Sequence, residues 1–423
     1  MVLPASQWQK DWRQRKAGKQ EYRHCPTCQK KLKIDSKTLC NGCWLKTSEG
    51  RAYNQELVYL SGVKKIDQVA EAKKIASRFS SELGFVNSAA LQESLTKNCL
   101  DVIPGIGFAH WHHRRDGQTT IYSLAVLPDR QKEGWGRLLL HRVLCSLIEY
   151  RKQNSNGMVQ QLFIVAKCPE DLTSNTFYQA MGFELAEIQP GKKRALNVWR
   201  YSVKVPLLFY CGGGGSSRHD AIASEEGWRL GLRSVGRNKA HQNMQMIDCE
   251  WDDSYDHQQH LDLIKSQKPL IATVRDITHI DQLPTALKQA REISQYCGRV
   301  VIIPKVKCWI PQRYWLGFSV PTSHGKCDIE TTWFGDRFVH LLGGNANKQA
   351  EYAVSLNVVS LDHNAAMRVA DFGKALHQGC SNSGEFVGGG CYNAMRVSLR
   401  RQREYWHNQA DEQAPQSTQL TLF

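Results

Sequence analysis

Seven short apolar runs after Val205, each closing on a glycine or a polar residue, constrain the fold of this chain more than any other feature. They are Leu207–Cys211, Met246–Cys249, Leu270–Val274, Val300–Pro304, Leu316–Val320, Phe338–Leu342 and Val358–Leu361. Helical stretches separate several of them, around Ala221–Leu232, His257–Lys265 and Leu283–Tyr296. Strands joined through helices pair in parallel, so the pattern predicts a parallel sheet or a (β/α) barrel. Seven runs, with one more undetected, suit the barrel. In such barrels chemistry gathers at the C-terminal ends of the strands. Those ends are polar here: Gly212–Gly215 with Arg218, His219 and Asp220; Asp248; Arg275 and Asp276; Lys305; Ser319 to His324; His340 with Gly343 and Gly344; and Asp362.

The chain has 423 residues, enough for two to four domains. Hydrophobic content of 41% excludes wholesale disorder. No apolar run approaches the roughly 18 residues of a membrane span, and the basic N-terminus lacks the apolar core of a secretory signal. A cytoplasmic location is therefore expected, with the 14 cysteines as thiols or metal ligands. A net charge of +15 suggests a polyanionic partner, most often nucleic acid.

Cys25-Pro-Thr-Cys28 and Cys40-Asn-Gly-Cys43 are two CxxC knuckles eleven residues apart. Two knuckles can close a tetrahedral Zn2+ site, and a segment this short needs such a clip to fold. Ten Lys/Arg between Lys10 and Lys37 face three acids, so the segment reads as a nucleic-acid-binding ribbon or as a structural clip with a solvated charge run.

In the middle segment, the strand-like Ile121–Val126 leads through Leu127-Pro128-Asp129-Arg130 into Gln131-Lys-Glu-Gly134-Trp135-Gly136-Arg137 and an amphipathic helix from Leu138 to about Tyr150. A strand, a glycine turn and a helix start make a pyrophosphate cradle, because glycines admit the phosphates and helix N-terminal amides face them. Farther on, Leu162–Ala166 reads as a strand, followed by Asn175-Thr-Phe-Tyr178-Gln-Ala-Met-Gly182-Phe183. The two motifs, in this order, resemble the GNAT family of N-acyltransferases over roughly residues 58–203. The resemblance implies acetyl-CoA or another acyl-CoA, held by Leu124, Val126, Gln131, Gly134, Trp135, Gly136, Arg137 and Asn175. It also implies that Tyr178 protonates the departing thiolate, against the alternative of a packing residue. The general base is open: alternation places His110 and His112 on one face of a strand, and Trp111 and His113 on the other.

The late run Leu316-Gly-Phe-Ser-Val-Pro, then Val339-His-Leu-Leu-Gly-Gly, then Val359-Ser-Leu-Asp362-His-Asn-Ala-Ala-Met-Arg368 resembles the closing strands of tRNA-guanine transglycosylases, and more so their DNA-acting relatives that insert 7-deazaguanines. The resemblance implies Asp362 as a nucleophile at C1′, Asp248 as a second carboxylate and Asp276 as a purine-reading residue, with Lys305, His340, Gly343 and Gly344 as further contacts. Base exchange passes through an oxocarbenium-like centre that two carboxylates can serve. Asp362 also reads as a helix N-cap in SLDHNAA. Gly212–Gly215 with Ser216 and Ser217 reads as a phosphate nest or a hinge. Arg396, Arg400, Arg401 and Arg403 read as one helix face, meeting a nucleic acid or merely solvated. Cys380, Cys391, His377 and His407 form only a loose set.

The expected organisation is multidomain α/β: a zinc ribbon over 1–50, a GNAT-like α+β domain over 51–204, a TIM-like barrel over 205–408 and a flexible tail over 409–423. The expected function is an enzyme that modifies nucleic-acid bases, on DNA sooner than tRNA, in a phage or mobile-element setting. It would combine glycosidic-bond chemistry with N-acylation. The rivals are a plain N-acetyltransferase with a scaffold barrel and a non-enzymatic nucleic-acid-binding protein. The oligomeric state is open.

Overall fold

The computed structural model describes residues 47–62, 67–83, 86–154, 161–191, 194–212, 217–233, 244–249, 254–321, 327–344, 346–377 and 384–412. The knuckle cysteines Cys25, Cys28, Cys40 and Cys43, the glycine-serine run 213–216, Cys380 and the end of the tail lie outside the described residues. The described residues through Gly62 form one compact unit with Ile280–Leu287; all others form a second. In the first unit, helix α1 (Ser48–Gly62) holds Asp281 through the Ser48 hydroxyl.

The second unit begins with α2 (Gln68–Ala76), α3 (Ser80–Leu83) and α4 (Ser88–Thr96). Asp67 and Asn87 start α2 and α4 by accepting from the amides of Ala70 and Ala89, as N-cap carboxylates and amides do. A six-stranded sheet follows: β1 (Leu100–Ile103), β2 (Gly107–His113), β3 (Gln118–Val126), β4 (Leu162–Pro169), β5 (Glu184–Gln189) and β6 (Leu196–Val203), in the order β1-β2-β3-β4-β6-β5. Only β3 and β4 pair in parallel, because α5 (Trp135–Asn154) crosses between them. The helix α6 (Ser174–Ala180) follows β4. Helix α5 starts three residues earlier than its apolar pattern suggested, and it is buried on more than one side: Leu138, Leu139, Leu140, His141, Val143 and Leu144 are all covered. A helix apolar nearly all round must lie between two layers.

The second layer is a closed barrel of eight parallel strands, the architecture expected. They are β7 (Leu207–Tyr210), β8 (Arg229–Arg233), β9 (Met246–Asp248), β10 (Ile271–Thr273), β11 (Arg299–Ile302), β12 (Trp315–Ser319), β13 (Phe338–Leu342) and β14 (Asn357–His363), with β14 beside β7. Strand β8 is the run missed in sequence. The helix predicted over Ala221–Leu232 is α7 (Ser217–Glu225), and Gly227 (φ +80°) turns the chain into β8. Helices α8 (His257–Gln267), α9 (Leu283–Ile293), α10 (Ala346–Ala353) and α11 (Ala365–Ala370) follow their strands. A hairpin, β15 (Lys374–Leu376) and β16 (Gly384–Phe386), and α12 (Gly390–Glu412) end the described chain. No helix among the described residues is long and apolar enough to cross a membrane.

Helix α5 seals the N-terminal mouth of the barrel. Its Glu149 takes Arg299, the first residue of β11, through Nε (2.5 Å) and Nη2 (2.7 Å), and also the indole N–H of Trp315, the first residue of β12 (2.8 Å). Arg142 donates to Asp101 (2.9 Å) and to the carbonyls of Ser294 and Gln295 (3.0 Å each). Arg229, opening β8, donates to the Tyr201 hydroxyl (2.7 Å). One apolar core therefore runs from Leu139 and Ile148 of α5 to Met246, Ile271, Val301 and Trp315 of the barrel.

The basic face of α12 makes ion pairs with its neighbours while staying partly exposed. Arg396 and Arg400 bond the buried carboxylate of Glu226, Arg403 donates to the Glu226 carbonyl, and Arg401 pairs with Glu385. Burial alone would raise the Glu226 carboxyl, but Arg400 and Arg396 hold it below its ordinary range. A buried carboxylate needs its cations, and two of the four guanidiniums, those of Arg396 and Arg400, meet it, so part of this face's charge is paired within the protein.

Candidate active sites

Strands β3 and β4 pair only from Gln118↔Phe163 to Ile121↔Ala166, then part. β3 runs on to Val126 and β4 to Pro169, so a wedge opens between them. The register between β2 and β3 shifts at the same level, His110 facing Ser123 and Trp111 facing Ile121, which leaves Tyr122 as an extra residue. Such a bulge adds local twist and turns the strand away from its neighbour. The wedge thus has a visible cause. Its wall carries Leu124 and Val126, and the Val126 carbonyl accepts from the Gln131 amide (3.0 Å), which fastens the next loop to it.

That loop ends in a helix start. The first bond of α5 runs from Leu138 N–H to Gly134 C=O, so the amides of the first turn point out of the helix end. Gly134 has φ +83°, a conformation other residues rarely adopt. A Cβ on Gly136 would stand 3.1 Å from the Phe177 ring of α6, so glycine permits the close approach of these helices. Wedge, glycine loop and helix end fit the pantetheine and pyrophosphate of an acyl-CoA. Two of the predicted cofactor contacts are otherwise engaged. Arg137 donates to the Gln267 carbonyl, and the Trp135 indole donates to Glu133 (2.8 Å).

Asn175 is also committed. Its Nδ2 donates to the carbonyls of Pro169 (2.8 Å), Glu170 (3.1 Å) and Leu172 (2.8 Å), and its Oδ1 accepts from Asn197 and from the Trp199 indole. It braces the β4–α6 turn, and its side-chain amide has its donors and acceptor engaged within the protein. Tyr178 is buried among Phe177, Phe183 and Trp199, and burial pushes its phenol above the ordinary range.

Of the three histidines, His113 is a packing group. Its Nδ1 meets the Thr119 hydroxyl (2.8 Å), its Nε2 meets Ser146 (2.9 Å), and its ring stacks on Tyr150; burial lowers it to about 4. His110 meets Ser94 (2.9 Å) beside the Tyr122 ring, and burial lowers its pKa too. His112 is half-buried.

At the other end of the barrel, Asp362 Oδ1 accepts from the Gly343 amide (3.1 Å) and lies 3.4 Å from His340 Nε2, off line for a hydrogen bond. His340, fully buried, turns Nδ1 to the Ser360 hydroxyl (2.8 Å). Gln349 donates to the carbonyls of both Gly343 and Asp362 (2.8 Å each). Asp362 does not cap a helix. The N-cap of α11 is Asn364, two residues later, because β14 extends through His363. Two strands separate Asp362 on β14 from Asp248 on β9. Asp248 accepts from Thr273 Oγ1 (2.8 Å), and that oxygen accepts from the Cys249 amide (2.8 Å). Asp276 pairs with Lys305 (3.3 Å); its burial raises the carboxyl, against Lys305 and Arg275, which lower it. Gly344 (φ +77°) lies so close to Val320 that a Cβ would clash.

The structure thus groups the predicted barrel residues in sets: Asp362, His340 and Gly343; Asp248; and Asp276 with Lys305. Sequence reading missed Ser360, Thr273 and Gln349. Ser360 stands two residues before Asp362, and strand alternation could have found it. Among the described residues no group of His, Cys, Asp or Glu could hold a metal ion. His377 lies by Glu385 (3.8 Å) and His407 by the Pro206 carbonyl (3.4 Å), while Cys391 is exposed; Cys380 lies outside the described residues.

Residues 100–185 match the family model for an acetyltransferase (GNAT) domain, and residues 223–407 match a family of unknown function (DUF6610). The first match runs from β1 to the start of β5, and there the chain carries a GNAT-type acetyltransferase domain. Among solved structures, similarity extends to an acetyltransferase of the GNAT family from Desulfovibrio desulfuricans (18% identity, 32% of this chain and 93% of that one, TM-score 0.25). It extends also to Ard1 from Thermoplasma volcanium (17% identity, 32% and 91%, TM-score 0.27). A third is a GNAT family N-acetyltransferase from Escherichia coli in complex with CoA (18% identity, 31% and 76%, TM-score 0.21). No curated protein matches the chain.

Proposed function

We propose that this protein is an acyl-CoA-dependent N-acyltransferase joined to a barrel that acts on a nucleic-acid base. The observation that carries the first half is the parting of β3 and β4 after Ile121↔Ala166, directly ahead of the Gln131–Gly136 loop. An acyl-CoA bound there supplies an activated thioester. The exposed backbone of β3 would orient it, amides at the start of α5 would meet its phosphates, and Tyr178 would donate a proton to the sulfur that leaves. The acceptor amine would lose a proton to a base at the wedge, for which His110 is the histidine set beside the bulge.

For the barrel, the reading is base exchange at the glycosidic bond of a guanine or 7-deazaguanine, on DNA sooner than tRNA. It is supported by carboxylates at the C-terminal strand ends, Asp362 and Asp248, with His340 set against Asp362. Asp362 would attack or stabilise C1′ while Asp248 manages the proton of the base. The N-terminal knuckles would hold Zn2+ beside a basic surface for the polymer.

Nucleoside mass spectrometry tests this. The full chain is expressed in bacteria, DNA and tRNA are digested separately, and D362A and Y178F are run beside it. A new nucleoside lost in D362A and left unacylated in Y178F is expected. A second reading, an N-acetyltransferase with a scaffold barrel, draws on the orientation of the barrel, whose carboxylate ends face away from the end sealed by α5. Acyl transfer to free amines with unchanged nucleosides would select it.

A further inference from the structure

Lys268 belongs to the barrel, yet its side chain ends on the loop of the acetyltransferase part. It follows α8 as the helix C-cap, with φ 45° and ψ 60°. Glycine or asparagine usually takes this left-handed position, because a Cβ is unfavourable there. A lysine held in it points to a task for its side chain. The residue is buried, and Nζ donates to the Glu133 carbonyl (2.6 Å) and to the Lys265 carbonyl (2.9 Å). The ammonium lies 4.3 Å from the centre of the Trp135 ring, and the stem packs where a Cβ on Gly134 would be, 3.4 Å away. Its own carbonyl faces His141 Nδ1 at 3.2 Å. Next to it, the Gln267 carbonyl accepts from Arg137. Two consecutive barrel residues therefore grip Glu133, Gly134, Trp135, Arg137 and His141, from the loop into the first turns of α5.

We propose that Lys268 is a positioning residue for the pyrophosphate of an acyl-CoA: it draws the Glu133 carbonyl to the barrel side and so presents the following amides to the ligand. This rests on the acyl-CoA reading above. The ammonium also puts a positive charge behind a loop that would meet a dianion, where low polarity strengthens its effect. Burial lowers the pKa of Lys268 and Glu133 opposes that. The barrel is then part of the cofactor site, and a shortened chain ending before it would carry the GNAT motif without its support.

Calorimetric titration of the full chain with CoA and with pantetheine, which lacks the pyrophosphate, tests the assignment. Three proteins are compared: wild type, K268M, which keeps the stem without the charge, and K268R, which keeps the charge. The expected result is a CoA dissociation constant raised about tenfold or more in K268M. K268R should recover part of that loss, and pantetheine should bind all three within a factor of two. CoA binding by K268M within a factor of two of wild type overturns the proposal, as does equal weakening for CoA and pantetheine, which marks a general loss of shape. Wild type that binds neither compound removes the acyl-CoA reading itself. Should K268M not fold, K268Q takes its place: pantetheine binding kept with CoA binding lowered supports positioning, and both unchanged opposes it.

Discussion

Glu149 and Arg299 join the acetyltransferase helix to the first residue of a barrel strand through two hydrogen bonds of 2.5 and 2.7 Å. Burial would lower the Arg299 guanidinium, and Glu149 more than reverses this, so the guanidinium is held charged. Removing one partner leaves a charge covered and alone, which costs about 3 kcal/mol or more. E149Q is expected to lower unfolding stability by that order in urea denaturation, while E149L combined with R299M recovers much of it. Equal losses in the single and double variants would refute the coupling.

Acid should loosen the fold. Burial holds His113, His260, His363 and His407 at about 4 and His141 at about 3, against an ordinary value of 6.5. The folded state therefore binds fewer protons than the unfolded chain between these values, and stability rises with pH across that window. Lowering the pH from 7.5 to 5.5 should lower the unfolding midpoint by roughly 10 °C, since each such histidine weighs about 1 kcal/mol per pH unit below 6.5. A flat profile over that interval would show that these rings are not neutral in the fold.

Tyr178 separates chemistry from packing cleanly. Phenylalanine keeps the stack with Phe183 and Trp199 and loses only the hydroxyl. In Y178F, kcat for acyl transfer should fall about 100-fold, with KM for acyl-CoA and the melting point held. Since burial raises the phenol, the alkaline limb of the wild-type kcat should lie above the usual tyrosine range near 10. Unchanged kcat would return Tyr178 to a packing role.

Gly136 and Phe177 should couple. A methyl on Gly136 meets the Phe177 ring at 3.1 Å, so the ring, which lies edge-on to Tyr178, must give way. G136A is expected to weaken acyl-CoA binding by about 1–2 kcal/mol, and F177L in that background should restore it. Additive effects of the two changes would argue against contact as the cause.

Much of the fold was legible because strands and helices keep their periods. The runs after Val205 and the Ile121–Val126 strand with its glycine loop were all readable, and the barrel closed as expected. Arg229–Arg233 was not, since Arg229-Leu-Gly-Leu-Arg alternates too briefly and its neighbour Trp228 suits a helix as well. At the candidate sites, residue type singles out Asp362, His340 and Gly134 but not how a side chain is engaged: Asn175 and Arg137 donate to backbone carbonyls. Lys268 gave no local signal, because the loop residue it holds, Glu133, lies more than a hundred residues away.

The seal of α5 over the barrel mouth also sets an order of events during synthesis. Helix α5 is complete at Asn154, but Trp315, which covers Glu149, emerges about 160 residues later. At roughly 5–20 residues per second the ribosome leaves that apolar face bare for about 10–30 s. Until then Leu139 and Ile148 of α5 wait for the barrel residues that complete their core. A ribosome stalled between the two halves would release a product prone to aggregate.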